Sequence, residues 1–168
     1  SSLTNDPLWY SVQQRGSLVS EEKLRFDFSY EKKLTAEQIQ DIENLVNDQI
    51  EKEVQTKIRL MSFEDAKKTG ALAFFGDKYG DNVRVLNIGG DFSVEFCGGT
   101  HVKNTAEIGG LLISNETSVS AGVRRIEAIT GSNLVKKSKQ AIELLKKIEN
   151  NEFKDEEFLE IGSKENLI

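Results

Sequence analysis

Apolar and polar residues alternate strictly over Leu24-Arg25-Phe26-Asp27-Phe28, and the shorter run Ser17-Leu18-Val19-Ser20 precedes them across the polar turn Glu21-Glu22-Lys23. Alternation at period two with a turn between predicts a β-hairpin whose second strand buries Leu24, Phe26 and Phe28 on one face. At Thr35 the period changes. Thr35-Ala-Glu-Gln38 has the spacing of a capping box, and Ile39, Ile42, Leu45, Val46 and Ile50 then recur at helical intervals, predicting a helix to about Glu53. Its remaining charges, Glu37, Asp41, Glu43, Asp48 and Lys52, read as a solvated face.

Beyond it, Thr56 to Met61 alternates as a strand, Ser62-Phe-Glu-Asp65 opens a short helix that Gly70 ends, and Ala71 to Phe75 reads as a buried loop. Asp81-Asn82 turns into the strand Val83 to Ile88, and Gly89-Gly90-Asp91 turns into another, Phe92 to Phe96. Leu111 to Asn115 and Val123 to Ile129 read as strands around a flexible Glu116 to Gly122 segment. Ser132 is placed to cap a last helix with the stripe Leu134, Ala141, Ile142, Leu145 and Ile148, and Phe153, Phe158, Leu159 and Ile161 are available to dock one more turn. Residues 1 to 10 show no period, and Asp6-Pro7 marks a turn or loose end. The whole predicts an α+β domain, a mostly antiparallel sheet packed with two helices, followed by a C-terminal helix.

Composition narrows the class. The chain has 168 residues, 38% hydrophobic and 30% charged, enough for one core, with no apolar run long enough to cross a membrane as a helix. A single Cys excludes an internal disulfide and fits a reducing compartment, so the cytoplasm is the expected location. A net charge of -6 argues against a protein that grips DNA or RNA over its whole surface. A local cluster for a few phosphates remains compatible with it; Arg15, Lys103, Arg124 and Arg125 are the candidates. Arg124 and Arg125 are adjacent in a strand, so one should face a ligand while the other makes a structural ion pair.

The chemistry concentrates in the only Cys and the only His, Cys97 and His101, four residues apart across Gly98-Gly99-Thr100. Thiolate and neutral imidazole are zinc donors, and the glycines are expected to turn the backbone with φ above zero, bringing both to one side of a loop. Two donors do not complete a zinc site, and a lone Cys is usually a small buried hydrophobe. Cys97 as a nucleophile is the rival role, weakened by the lack of a second His to serve as its base. Glu95 as a base is a third scheme, set against a solvent-facing strand residue.

The surrounding residues are more specific. The block E-F-C-G-G-T-H-V-x-N-T-x-E-I-G from Glu95 to Gly109, followed by A-G-V-R-R-I-E-A-I-T-G from Ala121 to Gly131, resembles the editing domain of alanyl-tRNA synthetases and of related free-standing editing proteins. It resembles that of threonyl-tRNA synthetases more remotely. Gln14-Arg15-Gly16-Ser17-Leu18-Val19, Leu24 to Ser29 and Gly70 to Tyr79 match the same family, so the likeness covers about residues 11 to 131 in the expected order. It implies an editing domain at 11–131, an unmatched segment at 1–10, and at 132–168 a helix and acidic tail leading towards a further domain.

The resemblance also implies roles at the site. Cys97 and His101 align with two zinc ligands and Gln14 with a residue of the editing pocket; beside these, Thr100 is a candidate polar group of the pocket and Arg124 or Arg125 a candidate phosphate contact. The family's other two ligands form a His-x-x-x-His pair on a helix just before the Gly-Ser-Leu-Val segment, and this sequence has neither. We expect them upstream in the parent gene, and weak or no zinc binding by this chain alone. The implied activity is hydrolysis of serine or glycine from alanine tRNA within a synthetase that attaches alanine using ATP, with the acceptor end of that tRNA and the other synthetase domains as partners, and neither DNA nor membrane. The alternative is a non-catalytic module that holds a tRNA end or joins domains.

Overall fold

A computed structural model describes residues 12–71, 81–90 and 92–150. Along the chain run β1 (Gln14–Val19), β2 (Leu24–Ser29), α1 (Ala36–Glu51), β3 (Thr56–Ser62), α2 (Phe63–Lys68), β4 (Asn82–Ile88), β5 (Ser93–Phe96), a single 3-10 turn (Thr105–Ile108), β6 (Leu111–Ser120), β7 (Val123–Thr130) and α3 (Gly131–Glu149). Every strand pairing is antiparallel, in two sheets, which makes the fold α+β with three helices. The chain divides into two compact units, Ser1–Glu43 with Gly110–Ile168, and Asn44–Gly109.

The first unit holds a four-stranded sheet in the order β1-β2-β7-β6. Phe28, Tyr30, Leu34 and Ile126 are its buried cluster, and Ile39 and Ile42 of α1 pack against them, so the helical stripe meets one pleat face. The capping box forms as the spacing predicts: Thr35 Oγ1 accepts from Gln38 N at 3.1 Å and Gln38 Oε1 accepts from Thr35 N at 2.9 Å.

Four local expectations change in this unit. The segment expected to be flexible is strand, because β6 continues to Ser120 and turns at Gly122, whose φ of 69° suits glycine. Phe26 stays 36% exposed despite its alternation, its ring stacked beside Phe28. Glu43 is not a free surface charge, since its Oε1 accepts from Ile113 N at 2.6 Å; β6 is an edge strand, and this carboxylate satisfies one of its outward amides. Thr130, not Ser132, is the N-cap of α3, without a side-chain bond, because the helix begins at Gly131 directly after β7. No described residue of α3 is buried; Ile142, Leu145 and Ile148 are about half exposed.

The second unit is the sheet β3-β4-β5 with α2 on one face. Ala66 of α2 is wholly buried among Val83, Val85 and Phe96, and the Phe63 ring meets Phe96 edge-on at 5.9 Å. Ser62 caps α2 by accepting from Asp65 N. The expected Ala71 to Phe75 loop, beyond Ala71 itself, and the last turn around Phe153 to Ile161 lie outside the described residues.

Candidate metal-binding loop

β5 ends at Phe96, whose buried ring fixes the strand against α2, and the next residue starts the loop. Cys97 N donates to Arg84 O of β4 at 3.1 Å, tying down the near end. The far end is held to β3, where Thr56 N donates to Lys103 O at 2.9 Å and Thr56 Oγ1 to Val102 O at 2.5 Å. Between these anchors Cys97 and His101 converge, with Sγ and Nε2 sharing a hydrogen bond at 3.0 Å. Two donors on a tetrahedral zinc would lie about 3.6 Å apart given the usual bond lengths. The observed separation is about 0.6 Å shorter than that spacing.

The glycines act differently from expectation: neither Gly98 nor Gly99 has a positive φ. Gly99 matters for space, since a Cβ there would sit 3.7 Å from the Cys97 sulfur and 3.8 Å from His101 Nε2, over both donors. Its absence leaves them open from that side. Arg84 Nη1 donates to Gly99 O, a second hold on the loop.

The electrostatics suit a neutral imidazole. Burial pushes the His101 pKa down, the Arg84 cation pushes the same way, and Glu95 opposes them. A ring unprotonated at neutral pH keeps a lone pair for a metal. Glu95 is half buried and accepts from Ser93 Oγ at 2.8 Å, so it is not simply solvent-facing. Sequence reading passed over Arg84; the available signal was one cation inside the apolar run Val83 to Leu86.

The residues after His101 hold the loop in place. Thr105, 4% exposed, donates Oγ1 to Gln49 O at 2.7 Å and accepts from Val54 N at 2.9 Å. Asn104 Nδ2 donates to Glu53 O at 2.7 Å, its oxygen caps Ala106 N, and Glu107 Oε1 closes the box by accepting from Asn104 N. These residues latch the loop's far side to the end of α1.

The other candidates are distributed as follows. Thr100 and Lys103 are exposed on the loop, in the second unit. Gln14, half buried, and Arg15, exposed at a bulge of β1, belong to the first. Both arginines of β7 carry ion pairs. Arg124 Nε and Nη2 donate to Glu116 at 2.5 and 2.8 Å, and Arg125 Nε and Nη2 to Asp27 at 2.7 and 2.8 Å. Among the described residues no group of three or more His, Cys, Asp or Glu is placed to hold a metal.

Residues 83–127, from β4 into β7 and including the whole loop, match the family described as the threonyl and alanyl tRNA synthetase second additional domain. The chain is 53% identical over 137 residues to the alanine-tRNA ligase of Sulfurovum sp.. This chain belongs to the alanyl-tRNA synthetase family. The Sulfurovum match covers 82% of the chain and 16% of the relative. Another, to the alanine-tRNA ligase of Aliarcobacter butzleri, has 50% identity over 139 residues, 83% of the chain and 16% of the relative. That of Pseudomonas fluorescens is 47% identical over 157 residues, 94% of the chain and 17% of the relative. The chain thus spans about a sixth of the length of the curated synthetases it matches.

Proposed function

We propose that residues 11–131 form the hydrolytic editing module of a cytoplasmic alanine-tRNA ligase, cleaving the ester that joins serine or glycine to the terminal adenosine of alanine tRNA. The observation that carries this reading is the convergence of Cys97 Sγ and His101 Nε2 at 3.0 Å beside a glycine whose missing side chain leaves both donors open. The need is physical: a pocket that accepts alanine discriminates against one small group by only about 1–3 kcal/mol, so a second, hydrolytic selection supplies the rest.

Cys97 and His101 would hold zinc together with ligands from outside the described residues. Bound there, zinc would supply a Lewis acid that polarises the ester carbonyl or orients the aminoacyl group. The chain's own residues set the conditions. His101 stays neutral through burial and Arg84, Arg84 fixes the loop through Gly99, and the exposed Thr100 hydroxyl can hydrogen-bond a polar substrate group. Gln14 is assigned to the pocket, and Arg15 and Lys103 to the tRNA end, with Arg124 and Arg125 already engaged by Glu116 and Asp27. Alanine attachment with ATP belongs to the rest of the synthetase.

Cys97→Ala in the full-length enzyme tests this. Release of serine from mischarged alanine tRNA should be lost while alanine attachment continues, and full retained release would refute the ligand role. No release of serine by the unsubstituted enzyme, together with absence of zinc, would favour the non-catalytic module.

A further inference from the structure

The second unit carries a cavity of about 350 Å³ on the sheet face that α2 covers in part. Lys57 and Arg59 of β3 line it together, with Met61, Val85 and Val94 as its apolar wall. Their ladder partners are Asn87 and Val85, so neither cation faces a carboxylate across the sheet. Among the described residues no acidic side chain lines the cavity, and neither Lys57 nor Arg59 makes an ion pair. The polar neighbours are occupied: Asn87 Nδ2 donates to Gly90 O, and the Thr69 hydroxyl donates to Ala66 O.

Lys57 and Arg59 are exposed and share one cavity lining in a chain of net charge -6. Lys23, Lys67 and Lys68 are each held by a carboxylate. Lys57 and Arg59 instead point over an apolar floor, a combination suited to a ligand that is anionic on one side and apolar on the other. Residues two apart on a strand are separated by about 6.6 Å. That spacing sets the two cations side by side along one face of the strand. It suits successive phosphates of a nucleic-acid strand, with sugar and base edges resting on Met61, Val85 and Val94.

We propose that Lys57 and Arg59 form a phosphodiester-binding groove that seats a strand of the tRNA. This extends the tRNA reading above and rests on it, and it adds two contacts that the sequence did not nominate. Each cation that neutralises a phosphate releases counterions, so binding must weaken with salt in proportion to the number of such contacts.

The test measures binding of the 168-residue chain to a fluorescent alanine-tRNA transcript by anisotropy across a series of KCl concentrations. Lys57→Gln with Arg59→Gln should reduce the slope of log K against log salt by about 1.4–1.8, since each phosphate contact contributes about 0.7–0.9. Lys136→Gln with Lys137→Gln on α3 removes the same charge elsewhere and should leave the slope unchanged. Equal losses from the two double variants would overturn the groove in favour of diffuse attraction. An unaltered slope in the Lys57/Arg59 variant, with the parent chain still binding, would overturn it outright. No binding by the parent chain would overturn the groove and leave the editing reading to the Cys97→Ala assay in the full-length enzyme. Both substitutions are at exposed positions, and circular dichroism and urea unfolding matching the parent chain verify that the variants fold.

Discussion

Replacing Arg124 with Ala should destabilise the protein far more than loss of an ordinary surface ion pair. Arg124 grips Glu116 through two parallel bonds, and the two side chains are only 13% and 3% exposed. Both lie on strands of one sheet, with Ser118 opposite Arg124 and Glu116 opposite Ile126. Burial strengthens their attraction and also holds Arg124 as a cation, raising its already high pKa through the bond to Glu116. Truncation leaves a carboxylate out of water with no partner, at a cost of about 3–5 kcal/mol. For a chain of this size that corresponds to about 6–20 °C in Tm. The assay is urea unfolding followed by far-ultraviolet circular dichroism, on Arg124→Ala and on the double variant Glu116→Leu/Arg124→Leu. The double variant should recover to within about 1 kcal/mol of the parent, because removing both charges removes the desolvation penalty with the attraction. A loss below about 1 kcal/mol in Arg124→Ala, the range of exposed pairs, would refute the argument that burial sets the magnitude.

Two further predictions concern stability. Arg125 hydrogen-bonds Asp27 and lowers its pKa below the ordinary 3.8, so this carboxylate contributes stability above that value and loses it as the pH falls through its folded pKa. Asp27→Asn should therefore flatten the decline of unfolding free energy between pH 4 and pH 2 relative to the parent, and identical declines would count against the linkage. Asn104→Ala removes the bond to Glu53 O and the cap on Ala106 N, and should cost about 1–2 kcal/mol in urea unfolding while raising hydrogen exchange at Thr105 and Ala106. An unchanged midpoint would mean that the latch after His101 holds nothing.

How far sequence reading reached depended on whether a feature is local. The capping box at Thr35, the hairpin of β1 and β2, and the short helix opened by Ser62 are decided within a few residues, and each forms as its spacing predicts. Segments whose state depends on a partner did not follow. Glu116 to Ser120 is polar and carries no strand period, yet β7 holds it as strand. Glu43 looked like one more solvated charge until the edge of β6 gave it an amide to bind.

The sequence by itself determined the element types, the antiparallel α+β class, and the choice of Cys97 and His101 as the chain's soft donors, because residue identity and short-range period carry that information. Only the tertiary structure decided which charges are spent. Whether Arg124 and Arg125 are taken up by carboxylates while Lys57 and Arg59 stay unpaired depends on strand register and on what lies opposite. The same holds for the loop: that sulfur and ring nitrogen meet at 3.0 Å follows from anchors on β4 and β3, residues far away in the chain, and from an open space above Gly99 that no local pattern encodes.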